Sequence, residues 1–251
     1  MTNLKTIQTS IFALFILLVL TATKCCDPSS CEDIDYCNCA VEEPPIQIII
    51  GEDVSGSFTK FKHIEPSQIE RLCDILGQKN RGAQITFIAV GNHNPSGFVS
   101  CSIDIVPEKE DDASFTQKNK CQRLIKERQA KNQKSIAAFI KNCEALLKQD
   151  VQKYTDINSF LKKASRFVNS SGKSYENIVY INCDGKHESV DRTPLDCANF
   201  PDGASVYASG WVDPNICNLT SESIFPAPEE FLQFMEKELT VGTLSTCQNA
   251  K

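Results

Sequence analysis

The strongest constraint on the fold is an alternation of two hydrophobic periods along one chain. Short continuous apolar runs occur at 47–50 (QIII), 83–91 (AQITFIAVG) and 177–183 (NIVYINC). Runs of this kind fit strands buried on both faces. Between them lie stretches whose apolar residues recur every three or four positions, the period of a helix with one buried face. PSQIERLCDILGQ (66–78) places Ile69, Leu72, Cys73 and Leu76 on one side, opens on Pro66 and has Gly77 near its end. A long helix is predicted over about 116–149, with a stripe of Leu124, Ile125, Ile136, Phe139, Ile140, Cys143, Leu146 and Leu147 and a charged first half. TDINSFLKKASRFV (155–168) turns Ile157, Phe160, Leu161 and Phe167 inward, and PEEFLQFMEKEL (228–239) has acids where a helix N-terminus favours them. FVSCSIDIV (98–106) follows the second run across a short NPSG turn, so those two strands are predicted to pair as a hairpin. ASVYASGWV (204–212) is the fifth strand. The order strand–helix–strand–strand–long helix–helix–strand–strand–helix predicts a three-layer, doubly wound α/β sheet, mostly parallel, with one antiparallel strand.

In such sheets ligands bind beyond the carboxyl ends of the strands, where the strand order reverses. The polar residues just after strands are therefore the candidates. The first strand runs into Asp53, Ser55 and Ser57, with Gly56 between the serines to let the loop turn tightly. The fourth runs into Asp184-Gly185, and Thr155 stands just before a helix. Two carboxylates and three hydroxyls form an all-oxygen set, suited to Mg²⁺, Mn²⁺ or Ca²⁺ rather than to zinc or copper. Each piece also has a plainer reading. DVSGS can be a Ser/Gly turn, Asp-Gly a common turn after a strand, and Thr155 a helix cap.

These residues carry a resemblance. DVSGS at 53–57 matches the D-x-S-x-S of von Willebrand factor type A (integrin I-like) domains. NIVYINCDGKHE resembles their later strand ending in Asp-Gly, and YTDINSFLKKA their helix start at a Thr-Asp pair. The resemblance covers about 46–240. It departs from the pattern in a long helical insert at about 107–150, in Tyr154 before Thr155, and in Asn182-Cys183 before Asp184. It implies a von Willebrand A, Rossmann-like fold and a metal-ion-dependent adhesion site. Ser55, Ser57 and Thr155 would contact the metal, Asp53 and Asp184 would act through water or from behind, and a partner's carboxylate would complete the shell.

The ends and the cysteines bear on location. Ile11–Ala22 is an apolar run of signal-peptide length behind Lys5, short for a membrane span. Residues 1–24 are therefore expected to be a signal peptide, with an uncleaved anchor as the alternative. Residues 25–45 form a Cys-rich segment and 46–251 the globular domain. Removal of 1–24 leaves 24 basic and 32 acidic side chains, a formal charge of −8, which disfavours nucleic acid and anionic membrane as partners. Thirteen cysteines in an exported chain read as disulfides, with one left over. Cys183, inside a strand pattern, is the candidate buried thiol, and acylation of Cys25 would also settle the parity. Asn169-Ser170-Ser171 and Asn218-Leu219-Thr220 are sequons. His63, His93 and His187 form no spaced pair and are expected on surface or loops, with His187 near the rim of the site.

No G-x-S-x-G, Walker A, G-x-G-x-x-G or C-x-x-C occurs. A secreted or extracytoplasmic adhesion domain is the expectation: it would bind an acidic group on a protein or peptide through Mg²⁺ (or Mn²⁺/Ca²⁺) without turnover. The alternatives are an A-type scaffold that binds without metal, and a metal-dependent hydrolase.

Overall fold

A computed structural model describes residues 43–91, 97–108, 114–148, 151–171, 175–212, 217 and 219–241. The expected signal peptide, nearly all of the Cys-rich segment, Cys25, His93 and Asn218 lie outside the described residues. Strand β1 (Ile46–Asp53) is buried at all eight positions, as its run of isoleucines requires. It pairs in parallel with β2 (Ala83–Val90) on one side and β4 (Glu176–Asn182) on the other. Strand β3 (Phe98–Ile103) pairs antiparallel with β2 at the edge, which is the predicted hairpin. Parallel strands β5 (Ala204–Ser209) and β6 (Ile224–Phe225) complete the order β3-β2-β1-β4-β5-β6.

The pleat of β1 divides the core in two. Ile46, Ile48 and Ile50 pack with helices α1 (Pro66–Lys79), α2 (Phe115–Leu147) and α4 (Pro228–Val241). Ile49 packs on the opposite face with α3 (Ile157–Ser171). The sheet is thus the middle of three layers, the fold class read from the alternation. Gly51 brings α3 close, since a Cβ there would lie 2.6 Å from the Phe160 ring. Each helix start has a local cause. Pro66 opens α1, where the Glu65 carboxylate and the Gln68 side chain cap each other's backbone N–H groups. At α2, Ser114 and Gln117 do the same.

The charged first half of α2 is largely solvated, and the buried Asn132 ties the helix to the end of β3. Its Oδ1 accepts from Asp104 N at 2.9 Å and its Nδ2 donates to Asp104 O at 2.8 Å. Among the described residues, no helix is long and apolar enough to cross a membrane.

The cysteines require a correction. Cys197 and Cys217 form a disulfide, and Cys121 is disulfide-bonded. Cys183 is a free buried thiol as expected, but so are Cys73, Cys101 and Cys143. These three come from α1, β3 and α2 and fill the core between them as small apolar groups.

Candidate metal centre

The chain builds β1, β2 and β3 toward one edge, then crosses through α2 and α3 to start β4 on the other side of β1. The reversal lies between β1 and β4, so their carboxyl ends flank the crevice where doubly wound sheets bind ligands.

Asp53, the last residue of β1, is fully buried. Its Oδ1 accepts from Ser55 N at 2.8 Å, which folds the chain back over the strand end. A 3₁₀ turn over Gly56–Lys60 follows and brings Ser55 Oγ to 3.0 Å from Ser57 Oγ. Gly56 contributes less than its sequence position suggests. A Cβ there would meet Val151 Cγ1 at 3.5 Å and Gln152 O at 4.0 Å, both ordinary contacts, and the turn itself aligns the two hydroxyls.

Thr155 arrives from the far side of the α2 insert. Residues 151–155 run beside 54–56, with Gln152 N donating to Val54 O at 2.9 Å and Gly56 N to Gln152 O at 3.0 Å. Asp156 N then donates to Gly91 O at 3.2 Å. Asp156, not Thr155, caps α3: its Oδ1 accepts from Ser159 N at 3.0 Å and its Oδ2 from Ser159 Oγ at 2.6 Å. The Thr155 hydroxyl is left to face the site, 3.4 Å from both carboxylate oxygens of Asp53.

Asp184 follows β4 and is buried. Its Oδ1 accepts from Lys186 N at 2.9 Å. Its Oδ2 is buried without a hydrogen-bond partner, and the largely exposed Lys186 reaches only to 3.7 Å. Gly185 adopts a left-handed φ of 76°, and a Cβ there would press on the Trp211 ring at 3.0 Å. The Asp-Gly turn is thus fixed both by backbone conformation and by packing against the buried Trp211.

Electrostatics join the two acids. Burial pushes the Asp53 carboxyl up to about 6; the negative charge of Asp184 pushes the same way, against the lowering effect of hydrogen bonds from Ser55. The charges of two buried carboxylates thus interact, and Asp184 Oδ2 has no hydrogen bond, with Lys186 Nζ at an ion-pair distance of 3.7 Å. Two carboxylates with hydroxyl oxygens are the donor chemistry that a hard divalent cation takes. Among the described residues, no group of three or more His, Cys, Asp or Glu could hold a metal ion. The oxygen-bearing side chains here are two carboxylates and three hydroxyls.

A second network lies behind the first and was missed in the sequence. Glu52 points to the opposite face from Asp53, is fully buried, and has Oε1 2.7 Å from His63 Nδ1. Its Oε2 accepts from Asn182 Nδ2 at 2.9 Å, and Asn182 Nδ2 also donates to Lys62 O at 2.9 Å. Burial pushes the Glu52 carboxyl up to about 7, and its hydrogen bond raises His63 in turn. His63 is half exposed, yet it pins the loop after β1 to the strand end, a role beyond the plain surface position expected. The one available signal was period: Glu52 falls on the face that otherwise reads Ile46, Ile48, Ile50. His187 lies beside the start of α3, where its Nδ1 accepts from Ile157 N at 3.1 Å.

No family model matches the chain, and neither does any curated protein. Among solved structures it is similar to the pilus adhesin SpaC from Lactobacillus rhamnosus GG in its open conformation. That match has 12% identity over 81% of this chain and 30% of that one, with a TM-score of 0.43. It is also similar to a von Willebrand factor type A structure from Catenulispora acidiphila, at 15% identity over 78% and 42% of the two chains and a TM-score of 0.41. A third match is the manganese-loaded TRAP protein of Plasmodium vivax, at 10% identity over 78% and 74%, with a TM-score of 0.37. The chain spans about a third of the length of the SpaC chains. Identities and TM-scores this low assign no chemistry or partner to the chain.

Proposed function

We propose that this chain is a von Willebrand factor A-type domain that binds an acidic group of a protein partner through a divalent cation, Mg²⁺ or its close relatives Mn²⁺ and Ca²⁺. Asp53, Ser55, Ser57, Thr155 and Asp184 would hold the ion. The cation would supply a hard Lewis-acidic contact for the partner's carboxylate; the chain's own part is to fix five oxygen-bearing side chains on three loops before either arrives. The observation that carries this reading is the convergence of buried Asp53 and Asp184 at the β1–β4 reversal, with Asp184 Oδ2 lacking a hydrogen bond.

Of the described histidines, His63 is engaged by Glu52 and His187 by the α3 backbone. The disulfide between Cys197 and Cys217 and the apolar run at 11–22 support function outside the cytoplasm. Calorimetric titration with Mg²⁺ tests the reading. One site per chain is expected, and it is lost in Asp53→Ala. Equal heats from both proteins would leave a metal-independent scaffold.

A further inference from the structure

The proposed binding function leaves the first half of α2 unused. Residues 118–134 carry seven basic side chains and one acid, in a chain of formal charge −6. Asn132 is tied to the end of β3, while Phe139, Cys143 and Leu146 pack in the core. The residues from Asn132 back to Cys121 therefore carry the helix about 16 Å beyond that tie. Cys121 is nonetheless completely buried, with its Sγ 3.4 Å from Glu108 O. It is disulfide-bonded. Every other described cysteine is accounted for: Cys197 pairs with Cys217, and Cys73, Cys101, Cys143 and Cys183 are free. The partner of Cys121 is therefore Cys25, Cys26, Cys31, Cys37, Cys39 or Cys247, all outside the described residues. Glu108 also makes a single β-bridge whose other member lies outside them.

Where the described chain begins selects among these six. Arg81 holds that entry, pairing with Glu43 at 2.8 Å and donating from Nε to Pro44 O at 2.9 Å. A Cβ on Gly82 would touch Ile105 at 3.4 Å and Pro45 at 3.7 Å. The chain thus enters beside the segment that leads from Ile105 to Glu108 and the Cys121 sulfur. Cys39 precedes Glu43 by only four residues, a reach of about 14 Å. Cys247 instead follows α4, whose Phe231 packs on Tyr207 of β5 and Phe225 of β6, toward the edge of the sheet away from β3. Charge points the same way. Residues 25–42 hold five acids (Asp27, Glu32, Asp33, Asp35 and Glu42) and no base, whereas 242–251 hold no acid. Lys118 and Lys120, on either side of Cys121 along α2, are both engaged.

We infer that the acidic Cys-rich segment, residues 25–42, docks on the basic first half of α2 and is bonded to it through Cys121. Surface ion pairs are individually weak, but the bond makes their encounter intramolecular, so a few suffice. The segment is then held at a second point besides Arg81. Both points lie at the amino ends of β1 and β2, opposite Asp53 and Asp184. The candidate metal centre accordingly faces away from the N-terminal tether. Neither the bond nor the docking depends on a metal, so their failure would leave the proposed function as it stands.

The bond is tested on the full chain, produced by export, with free thiols blocked and trypsin digestion carried out without reductant. Trypsin releases Cys121 in 121–123, the acidic segment in 25–60 and Cys247 in 238–251. Mass spectrometry is expected to find 121–123 joined to 25–60, and reductant to separate them. Joining of 121–123 to 238–251, an unlinked 121–123, or a dimer linked through Cys121 would each overturn the inference. The docking is tested with Glu32→Gln/Asp33→Asn/Asp35→Asn, which keeps every cysteine. Amide hydrogen exchange over 115–131 is expected to be roughly tenfold faster in this variant at low salt. The difference is expected to shrink at 1 M salt, where screening weakens the contact in both chains. Amides of β1 and β4, read in the same experiment, report whether the fold is intact. Equal exchange over 115–131 in the two chains at low salt would overturn the docking.

Discussion

Replacing Asp53 with Asn should make the metal-free protein more stable, not less. Burial and the charge of Asp184 raise the Asp53 carboxyl from its ordinary 3.8 to about 6. Because the folded value lies above the unfolded one, the folded state binds the proton more tightly. The associated stability is present below about pH 4 and is lost as pH rises toward 6. At pH 7.5 the ionised group therefore opposes the metal-free fold by about 3 kcal/mol. Asn keeps the volume and an Oδ1 that can accept from Ser55 N, the 2.8 Å bond that shapes the loop. Asp53→Asn should accordingly gain about 1–3 kcal/mol in EDTA, read as a higher urea midpoint and a melting temperature raised by about 2–4 °C per kcal/mol. The difference should vanish near pH 4. Mg²⁺ should reverse the order. At a hundred times its dissociation constant it stabilises the natural protein by about 2.7 kcal/mol and the variant hardly at all. A variant that is less stable in EDTA at pH 7.5, or equally stabilised by Mg²⁺, would refute the reasoning.

Other perturbations probe the surrounding structure. Gly51→Ala places a methyl group 2.6 Å from Phe160 and should cost about 1–3 kcal/mol in urea unfolding; a neutral result would mean α3 packs less closely on β1 than described. Glu52→Gln should flatten a decline in stability between about pH 4.5 and 7, since burial raises this carboxyl to about 7; an unchanged pH profile would count against the buried network. Burial raises the thiols of Cys73 and Cys183 and pushes Cys143 up to about 12. Iodoacetamide at pH 8 should miss all three in the native chain and label them in denaturant without reductant. Labelling that needs a reductant would show that they are disulfide-bonded.

Much of the fold was legible because its elements obey one period each. The isoleucines of β1, the Pro66 start and the hairpin at the antiparallel edge all follow from local pattern. Strand β6 has only two residues, Ile224 and Phe225, too few to show a period. The Asp53, Ser55, Ser57 part of the candidate site could be picked out because hydroxyls and an acid directly follow a buried strand. Its meeting with Asp184 depends on β4 lying beside β1, a strand order that local periodicity does not encode. Asn182 and Glu52 are 130 residues apart and meet for the same reason. The thiols misled because cysteine number speaks for disulfides, whereas Cys73, Cys101 and Cys143 are used as core atoms.

The convergence of three loops on one hard cation can be tested directly by soaking crystals of the full chain in Mn²⁺ and locating the ion by its anomalous scattering. A single strong peak is expected between Ser55, Ser57 and Thr155, within reach of Asp53 and Asp184 directly or through water. A map with no peak at the ends of β1 and β4, or with its ion held elsewhere, would contradict the account.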